Sequence, residues 1–235
     1  MDTTQKGWGI SLEICDKKQP LKVQVFNELK EKIINCVYPP GASLHEDLLC
    51  KEFNVSRTPI RDALGRLEQE GLVEIHSKKG LSISAVSIGA VNDVYEMRSL
   101  IEPYAIENYA SKIDDTVYAE YVRLFSLPRS DFSEQELFQL DDAFHRQFFE
   151  VSNNIYLRRF QLMIDDQNAR FRVLSARYAR LDDTQGEHLK IASLCLQRNW
   201  KEAADAMRVH IEMSKSAILK YVMNSDYETS NFFTE

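Results

Sequence analysis

Three observations predict the fold class. Helical periodicity runs through most of the 235 residues; one pair of short β-prone runs flanks a Lys-Lys-Gly turn; and a helix, tight link, helix pattern stands directly before that pair. Together they predict a mainly α protein with two units. An N-terminal winged helix-turn-helix is expected over residues 20–84 and a C-terminal all-α six-helix bundle over 85–225, with tails at 1–19 and 226–235.

In order, Pro20 to Asn35 reads as an amphipathic helix, with Val23, Phe26, Leu29, Ile33 and Ile34 toward a core. Tyr38-Pro39-Pro40-Gly41 ends it. A shorter helix is expected over Asp47 to Phe53, and Glu52-Phe53-Asn54-Val55 links it to the next. That next helix opens at Ser56, the expected N-cap, whose hydroxyl can take an orphan backbone N–H. Pro59 lies in the first turn, where a missing N–H costs little. Ile60, Leu64 and Leu67 define its buried face, and Gly71 stops it. Leu72 to Ile75 and Leu81 to Val86 are the β-prone runs, and Ser84 to Ser87 is the expected linker.

These residue types suit a DNA groove. A helix fits the major groove, and Arg57 and Arg61 can meet guanine O6 and N7 bidentately. Ser56, Thr58, the helix N-terminal amides beside Pro59, and a wing of Lys78, Lys79 and Gly80 suit phosphates. A plain solvated helix face explains any one of these arginines as well, but not the ordered set.

The run Pro39-Pro40-Gly41, Leu44, Val55-Ser56-Arg57-Thr58-Pro59-Ile60-Arg61, Ala63-Leu64, Leu67, Glu68, Gly71-Leu72-Val73 and Gly80 resembles the GntR family of bacterial transcriptional repressors, over about 65 residues. Asn54 stands where that family usually has Gly, and Asn tolerates the left-handed region. Asp47 stands where some members carry a DNA-contacting Arg, so the resemblance implies that this contact is missing here.

Charge placement fits a focused reader of DNA rather than an indiscriminate one. The net charge is −7; residues 1–80 hold 12 Lys/Arg against 12 Asp/Glu, and residues 81–235 hold 17 against 24. Cys15, Cys36, Cys50 and Cys195 form no C-x-x-C pair, which argues against a zinc ribbon or a disulfide framework. With no recognisable signal peptide and no apolar run of about 18 residues, a cytoplasmic protein is expected.

The bundle helices are expected near 88–111, 115–126, 133–152, 154–180, 184–198 and 200–224, the last capped by Asn199 with Glu202 three residues on. In the third, Asp141 and His145 are one turn apart beside an apolar stripe of Leu137, Phe144, Phe148 and Val151. His188 shares a stripe with Ile191, Ala192 and Cys195, and His210 with Ala203, Ala206, Met207 and Ile211. Three core-facing histidines with a carboxylate suit Zn²⁺, Ni²⁺ or a similar divalent ion, and hydrogen-bonded core histidines are the bland alternative. Asp142 is also within helical reach of His145. Arg98 falls on an inward stripe with Tyr95 and Glu102. It suits an organic carboxylate near a metal, or else a structural ion pair with Glu102 or Asp141. Tyr95 and Arg170 are further candidates for an effector pocket.

This second unit resembles the FCD domain of the FadR branch, and its short span between first and third helices is closer to the VanR-like subgroup. The resemblance implies that Asp141, His145, His188 and His210 are metal ligands. The function expected is a dimeric, ligand-responsive regulator, a repressor in the first instance, reading a near-palindromic double-stranded DNA operator and sensing a small carboxylate at a divalent metal. A metal-dependent hydrolase with a DNA-binding appendage, or a pure metal sensor, is the alternative.

Overall fold

A computed structural model describes residues 19–76, 80–175 and 181–224. The N-terminal unit comprises α1 (Leu21–Ile34), β1 (Ser43–Leu44), α2 (Glu46–Glu52), α3 (Arg57–Gln69), β2 (Val73–His76) and β3 (Gly80–Ile83). Its core is one cluster in which Phe26, Leu29 and Ile33 of α1 meet Ile60, Leu64 and Leu67 of α3, closed by Leu49 and Ile83. The sheet is antiparallel in the order β1-β3-β2, with Val73 opposite Ile83 and His76 opposite Gly80. The two-residue strand β1, paired through Ser43 with Ser82, was not expected from the sequence, because two residues show no periodicity.

Asn54, between α2 and α3, takes φ +52°, the left-handed conformation for which Asn is suited. Ser56 holds the N-cap position of α3, but its side chain makes no cap hydrogen bond, contrary to expectation. The third helical residue is Pro59, so one of the two N–H groups an N-cap oxygen can reach does not exist. Hence the Ser56 hydroxyl is left to the exposed end of the helix.

The C-terminal unit has six α-helices among the described residues: α4 (Ile88–Tyr109), α5 (Asp115–Phe125), α6 (Glu134–Glu150), α7 (Ile155–Ser175), α8 (Leu181–Leu196) and α9 (Trp200–Asn224). Its core is a second, separate cluster in which Tyr118, Phe144, Phe148 and Phe171 pack with Ile191, Met207 and Ile211. Ser133 and Glu136 form a reciprocal capping box at the start of α6, the helix that carries Asp141 and His145. None of the described helices is long and apolar enough to cross a membrane.

The units meet along α7. Asp166 pairs with Lys30 of α1 at 2.5 Å, and Lys30 also reaches Glu70 at 2.9 Å. Gln167 donates to the carbonyl of Gly71 at 3.1 Å, and Arg170 to the carbonyl of Ser84 in the linker at 2.6 Å.

Candidate functional site

The bundle brings Asp141, His145, His188 and His210 together, with one ligand atom from each lying within 4.8 Å of all the others. All three imidazoles are buried. His145 Nε2 lies 3.1 Å from His188 Nε2, which lies 3.3 Å from His210 Nε2. Asp141 Oδ1 is 3.4 Å from His188 Nε2 and 3.8 Å from His145 Nε2.

The outer ring nitrogens explain why the inner ones face each other. His145 Nδ1 meets Glu102 at 2.6 Å, and His210 Nδ1 meets Glu187 at 2.9 Å. Each carboxylate takes the Nδ1 proton in the neutral ring, so each Nε2 turns a lone pair inward. His188 can donate one proton to one of these neighbours, and the remaining lone pairs still converge with a carboxylate oxygen. A cation relieves that repulsion. Two donors bound to one ion at about 2.1 Å sit about 3.0–3.4 Å apart, and the observed spacings of 3.1 and 3.3 Å fit that.

Proton affinities follow the same arrangement. Burial pushes His210 down, reinforced by His145 and Arg98, to about 3. Burial and the His210 ring also hold His188 well below the ordinary value. Burial acts downward on His145 too, yet Glu102 outweighs it and its affinity rises. Asp141 is held low: burial opposes ionisation, and Arg172 together with the three histidines overcomes it. His188 and His210 are thereby held neutral beside an ionised Asp141, as a divalent ion requires, whereas His145 must release its inward proton to bind one.

A cavity of about 90 Å³ opens beside the cluster, lined by Asp141, His188 and His210. Its other polar walls include Tyr95, Arg98, Asn168, Arg172 and Ser175, and Phe125, Leu137 and Ile218 are among the apolar ones. That volume admits several water molecules or one small organic acid, at about 10–15 Å³ per water.

The candidate effector residues divide. Tyr95 and Arg98 line the cavity and both donate to Asn168 Oδ1, at 3.2 and 3.0 Å. Arg98 also makes the ion pair with Glu102, at 2.6 Å, so the bland alternative for it is realised beside the cavity. Arg170 does not line the cavity. It lies on the opposite side of α7 and is buried against the linker at Ser84, which corrects its assignment to the pocket. The arginine that the reading missed is Arg172, which lines the cavity and pairs with both Asp141 and Asp142. Asn168, Arg172 and Ser175, one and two turns apart, were the available signal. Asp142 is occupied by Arg172 and is not one of the four clustered groups.

At the other end of the molecule, Ser56, Arg57, Thr58 and Arg61 are exposed on the first turns of α3, and Pro59 is half-buried. Arg66 instead stacks over Phe26 at 3.5 Å and belongs to the packing of α1 on α3. Gly80 opens β3 with φ +81°, and Lys78 and Lys79 lie outside the described residues.

Residues 21–83 match the model for bacterial regulatory proteins of the gntR family, and residues 93–213 match that of the FCD domain. The HTH-type transcriptional regulator YdhC of Bacillus subtilis is 30% identical, with 80% of this chain and 86% of that protein covered. The HTH-type transcriptional repressor RspR of Escherichia coli is 28% identical over 92% of this chain and 95% of its own length. A GntR-type regulator from Rhodococcus sp. RHA1 shares the fold at TM-score 0.68 and 18% identity, covering 85% of this chain and 97% of that one. The metal-free FCD domain of another transcriptional regulator matches at TM-score 0.54 and 16% identity, covering 60% of this chain and all of that one.

Proposed function

Because this chain belongs to the bacterial GntR family of DNA-binding transcriptional regulators and carries an FCD domain, we propose that it is a repressor governed by a small carboxylate and a divalent metal ion. The observation that carries this reading is the convergence of three imidazole Nε2 atoms and the Asp141 carboxylate beside a cavity that also holds two arginines. Zn²⁺ or Ni²⁺ suits that mixed N/O donor set. A bound ion supplies Lewis acidity to an oxygen donor of the effector. Asp141 faces the histidines with Oδ1 and Arg172 with Oδ2, so an ion taken by Oδ1 leaves Arg172 in place on the cavity wall beside Arg98, where the two cations suit an anion. The limited volume favours a small di- or hydroxy-carboxylate.

On this reading Ser56, Arg57, Thr58 and Arg61 meet a near-palindromic operator, with Lys78, Lys79 and Gly80 on its backbone, and the protein works as a cytoplasmic homodimer with one α3 per half-site. Two relatives from E. coli, RspR and GlaR, bear the description of repressor, which supports the direction of control proposed. The hydrolase alternative gains nothing from the relatives, whose descriptions are those of transcriptional regulators. A pure metal sensor would use the histidine cluster alone and leave Arg98 and Arg172 to their ion pairs with Glu102, Asp141 and Asp142.

The test combines metal analysis with thermal unfolding. Purified protein is expected to hold close to one ion per chain, and His188→Ala or His210→Ala to lose most of it and unfold at lower temperature. A carboxylate panel should raise the melting temperature of the loaded protein and alter operator affinity, and sedimentation should show a dimer. Identical shifts with and without metal would remove the ion from effector binding.

A further inference from the structure

Both reading arginines are held by carboxylates of the helix that precedes them. Arg57 gives Nε and Nη2 to Asp47 Oδ1, at 3.1 and 2.8 Å. Arg61 gives Nε to the two oxygens of Glu46, at 3.0 and 2.8 Å. These contacts are open to water: the Arg57 and Asp47 side chains are 62% and 69% exposed, and Arg61 is 63% exposed against a half-buried Glu46 at 28%. Ion pairs this exposed add little to folding, so stability does not account for a matched pair on the DNA-facing turns.

The edges of the guanidinium are what matter. A planar guanidinium has a side edge, Nε–H with one Nη2–H, and an end edge, Nη1–H with the other Nη2–H. Asp47 takes the side edge of Arg57 and does not engage the end edge. The end edge still presents two parallel N–H groups, enough for a bidentate contact with guanine O6 and N7. An arginine without that tether can turn to a neighbouring phosphate, which gives affinity without sequence information. The Asp47 charge also repels phosphates, which penalises the swung-out arrangement.

We propose that Asp47 is a specificity-determining residue of DNA recognition: it fixes Arg57 by the side edge, so that the end edge reads one guanine. Glu46 restrains Arg61 more loosely, through Nε alone. The inference rests on the assignment of α3 to the major groove, and its test separates the two.

The probe is a duplex that the wild-type full-length protein selects from a randomised library. Affinities for this duplex, for single-base variants and for a random-sequence duplex are then read by fluorescence anisotropy. Asp47→Ala is expected to bind the random duplex several-fold more tightly, because a negative charge is gone. Its discrimination at one symmetric base-pair position is expected to fall by about tenfold, the size of one good bidentate contact. Arg57→Ala should lose preference at that same position. Asp47→Asn keeps an acceptor without the charge, so it should bind random DNA like the Ala variant and retain part of the discrimination. If Asp47→Ala strengthens binding to every duplex by one common factor, Asp47 is only an electrostatic brake and the proposal fails. If Arg57→Ala leaves every preference intact, the groove assignment of α3 fails instead. Matching melting temperatures of all variants confirm that folding is not being measured.

Discussion

Glu102 and Glu187 are not among the residues that line the cavity, yet they decide which way two imidazoles point. Each fixes a ring through Nδ1, and an ion-binding histidine without such a partner loses both orientation and basicity. Glu187→Gln should therefore weaken Zn²⁺ or Ni²⁺ binding by about 10–100-fold in competition with a chromophoric chelator. A change under twofold would mean that packing alone orients His210. Asp165 shows the opposite kind of burial. Desolvation raises its pKa from 3.8 to about 7, and the nearby Glu102 charge adds to that against the pull of Arg146. Its folded-state value is thus above its unfolded value, so its contribution to stability is full below about pH 3.8 and is lost as pH rises through about 7. Asp165→Asn keeps an acceptor for Gln161 and carries no charge. It should stabilise the protein by roughly 2–4 kcal/mol at pH 8, and the gain should vanish near pH 4. Chemical denaturation at the two pH values measures this, and an equal effect at both would show that charge is not the cause.

The element that positions half of the histidine cluster is α6, and its first turn is tied by the Ser133–Glu136 box. Ser133→Ala should cost about 1 kcal/mol in denaturant unfolding and leave ion affinity nearly unchanged, since Asp141 and His145 lie two to three turns further on. A large fall in ion affinity would show that the cap sets the register of the site. Long elements of this kind were legible in the sequence. The six bundle helices and α3 have apolar stripes of several turns, and the four clustered residues sit on those stripes. Other features had no such signal. On α7, Asp165, Asp166, Arg170 and Arg172 place charge on several faces, so periodicity could not tell the cavity arginine from the linker arginine. Glu187 adjoins His188 in sequence yet serves His210 on another helix, a pairing that only packing reveals. The pairs of Arg57 with Asp47 and Arg61 with Glu46 bridge two short helices, whose relative placement depends on the left-handed turn at Asn54.

At the scale of the molecule, α7 belongs to both units. Asn168, Arg172 and Ser175 face the cavity, whereas Asp166, Gln167 and Arg170 are fastened to α1, to the end of α3 and to the linker. Arg172 and the residues fastened to α1 and the linker thus share one continuous helix, which joins the cavity to the base of the N-terminal unit. Whatever the cavity holds must favour one placement of that helix over another to have any effect on DNA. The consequence runs in both directions, because an equilibrium shared by two sites cannot be biased from one alone. If an ion in the histidine cluster changes operator affinity by some factor, the operator changes ion affinity by the same factor, in the range of about 5–150 for couplings of this kind. Titrating Zn²⁺ with and without saturating operator duplex measures it, and a factor of one would mean that α7 transmits nothing. With a factor above one, occupied promoters and empty ones hold different amounts of metal at a single free concentration, so the genome itself becomes an allosteric ligand of the histidine site.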